Sequence, residues 1–71
     1  MGTNTEVITV GEWTMHVHSI QATPDSRFTL VISNIRSGTQ HLPDWKDADD
    51  SYKTHEDVVA AARKWAQRAL K

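Results

Sequence analysis

The feature that most constrains this chain is an alternating segment, EVITVGEWTMHVHSI, which is interrupted once, at Gly11 and Glu12. Apolar and polar residues that alternate in this way are typical of half-buried strands. A two-residue interruption with glycine first is typical of a type II′ hairpin turn, because the first position of that turn needs a positive φ. The segment therefore predicts two antiparallel strands, over about residues 6–10 and 13–20. The alternative is one long strand with a β-bulge at Gly11.

The turn also fixes the register of this hairpin. If Val10 lies opposite Trp13, every later pair follows, and opposed residues share one face of the sheet. This register separates an apolar face from a polar face, as a half-buried antiparallel pair requires. The apolar face holds Ile8, Val10, Trp13, Met15 and Val17. The opposite face holds Thr5, Val7, Thr9, Thr14, His16 and His18.

A third strand is predicted over about residues 27–34, where RFTLVISNI alternates after the turn formers Pro24 and Asp25. Phe28, Leu30 and Ile32 extend the apolar face, and Thr29, Val31 and Ser33 join the histidines.

Residues 37–53 lose the alternation and predict a long loop, with room for a short fourth edge strand around residues 41–45. Within the loop, DWKDADD has the acidic character of a calcium-binding segment. That pattern needs glycine at its sixth position and glutamate at its twelfth, and counting from Asp47 these positions hold Tyr52 and Val58. We therefore interpret the segment as a solvated acidic loop.

A C-terminal helix is predicted over about residues 55–70. Thr54 is a typical N-cap, and Asp57 three residues later gives an approximate capping box. Acidic residues near the start and basic residues near the end suit the helix dipole. One face carries Val58, Ala61, Ala62, Trp65 and Ala69. We expect this face to cover the apolar side of the sheet, with Trp13 and Trp65 largely buried.

These elements predict the α+β class, with a three-stranded antiparallel β-meander and one C-terminal helix packed on one face. A length of 71 residues suits a single domain over residues 1–71 with a thin core. Cysteine is absent, which excludes disulfides and favours a cytoplasmic location. We expect no membrane association or export, because there is neither an apolar run of ~20 residues nor a signal-peptide pattern at the N-terminus.

Catalytic and metal-binding patterns are weak. His16 and His18 lie roughly 6.6 Å apart along one strand face, a spacing from which two imidazoles can bind zinc. A third ligand would have to come from His41, His55 or an aspartate, and none has a diagnostic spacing. We interpret the two histidines as part of a solvated face and expect no metal. No GxSxG or nucleotide-binding loop is present, so we predict no catalytic residues, no cofactor and no enzymatic activity.

Two surfaces are candidates for binding. The first is the mildly apolar sheet face formed by Val7, His16, His18, Thr29 and Val31. The second is a basic group at the helix end, which would contact phosphates together with Arg27 or Arg36 if the protein bound nucleic acid. That group comprises Arg63, Lys64, Arg68 and Lys71.

We predict a small non-enzymatic protein-interaction module, with nucleic-acid binding as the alternative. The net charge of -1 gives no overall field that would attract a polyanion, and the predicted open face offers Thr, His, Ser and Val rather than cations. A thin core favours self-association, so a homodimer through the sheet face or an edge strand is one form of the prediction. Stacked histidines would loosen such a dimer at low pH.

The chain also resembles known families in three respects. LPDW, followed by a polar loop and KTHEDVVAAARKWAQRAL, resembles the C-terminal half of HicB-type antitoxins over about residues 42–70. That resemblance implies a β-β-β-α domain that binds and blocks a toxin. The element order, with GEWTMHV as a tryptophan-bearing strand, also resembles the DNA-binding domain of plant ethylene-response factors and the arm-binding domains of tyrosine recombinases, which implies DNA reading by the open sheet face. In general form the chain resembles small bacterial β-β-β-α domains to which no function is assigned.

Overall fold

A computed structural model of the chain describes residues 2–47 and 52–70. The elements in chain order are β1 (Gly2–Val10), β2 (Trp13–Gln21), β3 (Phe28–Ser37), β4 (Gln40–Leu42), β5 (Trp45–Lys46) and α1 (His55–Ala69). Strands β1, β2 and β3 form an antiparallel meander, and β4 and β5 both pair with the far side of β3. The predicted α+β fold is confirmed. The loop predicted over residues 37–53 contains the short fourth edge strand that the sequence allowed for, as β4, and a second short strand, β5, that was not predicted.

The first hairpin has the predicted register, in which Val10 lies opposite Trp13 and Val7 opposite His16. Gly11 has a φ of 62°, whereas Glu12 has no positive φ, as a glycine-first type II′ turn requires. Strand β1 begins at Gly2 rather than near residue 6, because its first residues pair with the end of β2. The single long strand considered as an alternative is therefore excluded.

A β-bulge at Asn34 changes the end of β3. Asn34 has a φ of 51°, a left-handed conformation that asparagine adopts more readily than most residues. The bulge shifts the alternation by one position, so Ile35 is buried under the helix while Arg36 lies opposite Thr14 on the other face. The strand consequently continues to Ser37 instead of ending near residue 34.

The core lies between α1 and one face of the sheet. Its buried apolar members are Ile8, Met15, Val17, Leu30, Ile32, Ile35, Val58, Val59, Ala62 and Ala66. Burial of each large aliphatic side chain stabilises the fold by about 1.5–3 kcal/mol. The two small alanines on the buried side of α1 allow the helix axis to lie close to the strands.

The start of α1 is as predicted, and its buried face is as predicted in part, because Val58 and Ala62 are buried. The Thr54 hydroxyl accepts a hydrogen bond from the Asp57 N–H at 3.1 Å, which confirms the N-cap. Val59 and Ala66 are buried, whereas the predicted face residue Ala69 is exposed. The predicted face did not include Val59 and Ala66, and the packing turns the helix so that these two residues are buried beside Val58 and Ala62.

The tryptophans lie at the margin of the core. Trp13 and Trp65 both pack against the core with most of their surface buried, in agreement with the prediction, although neither ring is fully enclosed. Trp65 stacks on Trp45 from β5, with ring centroids 4.9 Å apart and an interplanar angle of 23°. A single helix cannot enclose indole rings at the rim of so small a sheet. Among the residues that the structure describes, no helix has the length and apolar character needed to cross a bilayer.

Candidate interaction surfaces

The sheet face turned away from α1, here called the open face, is built from four cross-strand rows. These rows are Thr3, Ile20 and Thr29; Thr5, His18, Val31 and Lys46; Val7, His16 and Ser33; and Thr9, Thr14, Arg36 and His41. All five residues of the predicted interaction face lie on it. Val7 is 56% exposed and the other four are half-buried. Their role in binding stays a prediction.

His18 connects three strands of the open face. Its Nδ1 lies 2.9 Å from the Thr5 hydroxyl and its Nε2 lies 2.7 Å from the Ser33 hydroxyl. A neutral imidazole donates from one nitrogen and accepts at the other, so each hydroxyl finds a complementary partner. Both nitrogens of His18 are thus engaged by protein groups. Within residues 2–47 and 52–70, no three histidine or carboxylate side chains converge as metal ligands.

The open face carries two cations that sequence reasoning did not place there. Arg36 reaches it because of the bulge at Asn34, and Lys46 reaches it because β5 pairs Lys46 with Val31. No strand position described on this face holds a carboxylate. The expectation that the face offers only Thr, His, Ser and Val is therefore wrong.

The basic group on the helix does not join these cations. Arg63, Lys64 and Arg68 are exposed on α1, on the opposite side of the sheet from Arg36. Lys71, the fourth predicted phosphate contact, lies outside the described residues. The structure thus does not bring the helix cations and Arg36 into a single phosphate site. Arg27, the other suggested contact, is exposed just before β3.

A second polar chain lies on the helix side of the sheet. The Ser19 hydroxyl is 2.6 Å from His55 Nδ1, and His55 Nε2 is 3.3 Å from Glu6 Oε1. The sequence of hydroxyl, imidazole and carboxylate is the one found in hydrolase triads. Ser19, however, is 0% exposed, so a substrate cannot reach its oxygen in this conformation. The contact instead satisfies a buried hydroxyl and fixes the start of α1 to β2.

Sequence reasoning missed this pair, although a signal was present. Ser19 follows Trp13, Met15 and Val17 on the alternation of the covered face, where a polar residue needs a partner. His55 occupies the first turn of the helix that covers the same face. Two polar residues on surfaces that are expected to meet predict a hydrogen bond between them.

The two edges of the sheet differ in protection. The outer edge of β1 runs over nine residues without proline, lysine or arginine, and no described strand pairs with it. The far side of β3 pairs with three short segments: Tyr52, the two residues of β5 and the three residues of β4. Pro43 lies between β4 and β5. Short strands, proline, bulges and charged side chains are the features that hinder the addition of further strands. Of these features, the β1 edge has only the charged side chain, at Glu6.

The turn determines which residues of β1 bond to β2 and which face the free edge. Val10 and Trp13 close a two-residue turn and therefore form a hydrogen-bonded pair. Bonded and non-bonded pairs alternate along an antiparallel ladder, so the even-numbered residues of β1 bond to β2. The odd-numbered residues direct their N–H and C=O groups to the free edge. These are Thr3, Thr5, Val7 and Thr9.

A cleft of about 230 Å³ lies next to the β1 edge on the helix side. It is lined by Glu6, His55, Glu56, Val59, Ala60 and Arg63. The cleft therefore combines carboxylates with an apolar wall from the first half of α1.

Comparison with known proteins adds no assignment: no family model, curated protein or solved structure shows significant similarity to this chain. The resemblances to HicB-type antitoxins and to sheet-reading DNA-binding domains therefore stay predictions. The function has to be argued from the surfaces themselves.

Proposed function

We propose that this protein is a non-enzymatic interaction module that binds an extended segment of another protein by β-strand addition at the outer edge of β1. The observation that carries this proposal is the contrast between the unprotected nine-residue edge and the divided far edge. In strand addition, main-chain hydrogen bonds supply affinity and the side-chain positions supply specificity. The four outward-facing residues of β1 offer an N–H donor and a C=O acceptor each.

The β1 edge is held in place before any partner binds. Strand β1 pairs with β2 along its whole length, Ile8 is buried, and Glu6 contacts His55 of the helix. A preformed template lowers the entropic cost of association, because the partner alone must become ordered. These contacts support the choice of β1 over the short strands at the far edge.

The test uses a library of nine-residue peptides in which β-branched residues alternate with varied residues. Peptides are added to isotope-labelled protein, and amide hydrogen exchange is measured by NMR. We expect binding peptides to slow exchange at Thr3, Thr5, Val7 and Thr9. Thr5→Pro should abolish this effect, because it removes an outward N–H, whereas the matched Thr5→Ala variant should retain it. Protection of amides in other strands, with none at these four residues of β1, would contradict strand addition at β1.

Nucleic-acid binding by the open face is the second candidate function. Arg36 and Lys46 favour it, because they lie on a face whose described strand positions hold no carboxylate. Two phosphate contacts predict that log K for duplex DNA falls with log salt concentration with a slope of about -2. Replacing both residues with alanine should abolish binding, whereas the charge-matched replacement of Arg63 and Lys64, on the opposite side of the sheet, should not. Fluorescence anisotropy with a short duplex measures this, and salt-independent or absent binding would exclude it.

A further inference from the structure

The cleft beside the β1 edge has the chemistry of a site for a cationic side chain. Glu6 is the only charged residue of β1, and its side chain is 48% exposed. Its Oε1 lies 3.3 Å from His55 Nε2, so the helix holds the carboxylate at the mouth of the cleft. Val59 and Ala60 give the cleft an apolar wall, and Glu56 adds a second carboxylate.

Building on the proposed strand addition, we infer that the partner strand carries a lysine or arginine opposite Glu6 and places that side chain in this cleft. Residues opposite each other in a sheet share a face, so a side chain opposite Glu6 lies on the helix side. The aliphatic part of lysine or arginine packs on apolar surface while its charged end reaches polar groups. Val59 and Ala60 provide the apolar surface for the aliphatic part, and Glu6 and Glu56 provide the carboxylates for the charged end.

The charges around the cleft favour a cation by a small margin, because the partial charge of roughly +0.5 at the start of α1 reduces the negative charge of the side chains without cancelling it. The cleft is lined by two carboxylates, Glu6 and Glu56, and by one guanidinium, Arg63. The formal charge of these side chains is -1 when His55 is counted as neutral.

The same carboxylate disfavours pairing with a second copy of this chain. A symmetric antiparallel pair that uses all four outward residues sets Thr3 opposite Thr9 and Thr5 opposite Val7. It also sets Glu6 opposite Glu6, and like charges directly opposite each other destabilise a sheet. A shift of two residues separates the carboxylates but reduces the four bonded pairs to three. Glu6 thus selects a different chain over self-association.

The test compares two peptides, one with the sequence of residues 2–10 and one with the same sequence carrying Glu6→Lys. In the full register, position 6 of either peptide lies opposite Glu6 of the protein. We expect the lysine peptide to bind the wild-type protein on the order of tenfold more tightly. The Glu6→Lys protein should reverse the preference. Affinities are measured by NMR titration, with exchange protection at Thr5 and Val7 reporting the edge.

The outcomes separate this inference from the proposed function. If neither peptide binds either protein, strand addition at β1 is wrong. If both peptides bind the wild-type protein equally well, strand addition stands and the charge selection is overturned. Glu12→Lys is the matched control, because it makes the same charge change in the exposed hairpin turn. Loss of the preference in that variant would attribute the effect to net charge and overturn the role of the cleft.

Discussion

The two edges of this sheet show how one small domain can block strand addition on one side and permit it on the other. The β1 edge is a continuous nine-residue strand, whereas the far edge consists of strands of three and two residues separated by Pro43 and Asp44. Strand addition needs consecutive outward N–H and C=O groups, which broken edges lack. The difference identifies the β1 edge as the surface to test for function.

The largest expected effect comes from proline substitutions that test the phase of β1. Glu6→Pro removes an N–H that bonds to β2 and should lower the free energy of unfolding by up to about 3 kcal/mol, the upper end of the usual range for a single substitution. Val7→Pro removes an outward N–H and should cost clearly less, because proline is tolerated at sheet edges. Urea denaturation measures both. Equal losses would show that the assigned phase of the β1 edge is wrong.

The next effect concerns the contact that fixes α1 beside the β1 edge. His55→Ala leaves the buried Ser19 hydroxyl without its imidazole partner and should cost about 1–3 kcal/mol. The control His41→Ala, at an exposed position of β4, should change stability by less than about 0.5 kcal/mol. Thermal unfolding followed by circular dichroism compares the two. A His55→Ala loss no greater than that of the control would refute the stabilising role.

At the far edge, Trp45→Ala removes the ring that stacks on Trp65. The lost aromatic pair should destabilise the protein by about 0.5–1.5 kcal/mol in addition to the loss of buried area. Because β5 has only two residues, we also expect faster amide exchange at the Asp47 N–H, which bonds to the Leu30 carbonyl at 3.0 Å. Unchanged exchange there would mean that β5 is held by its backbone pairing alone.

The smallest effect compares one glycine from each edge. Gly38 has a φ of 61°, so Gly38→Ala should cost about 1 kcal/mol, since alanine rarely adopts that conformation. Gly2 in β1 has open space around its α-carbon and no positive φ, so Gly2→Ala should be neutral. The change in stability of each variant is measured from its denaturant midpoint. A neutral Gly38→Ala would indicate that the far-edge turn relaxes at little cost.

The elements that could be predicted from the sequence are those determined by near neighbours. The register from Val10 and Trp13 follows from a two-residue turn, and the start of α1 follows from Thr54 and its bond to Asp57. Strand β5 was not predicted, because two residues carry no periodic signal and depend on β3 for their pairing. The position of Lys46 was missed for the same reason, and that of Arg36 was missed because the bulge at Asn34 shifts the alternation of β3.

The sequence by itself determined the strands of the meander, the two-faced character of the sheet and the five residues predicted on its open face. These properties depend on alternation and turn chemistry, which act over a few residues. The tertiary structure alone decided which edge is left free, which side of α1 is buried and that Arg36 and Lys46 reach the open face. Such features arise from contacts between distant segments, because packing chooses among arrangements that local preferences leave equal in energy.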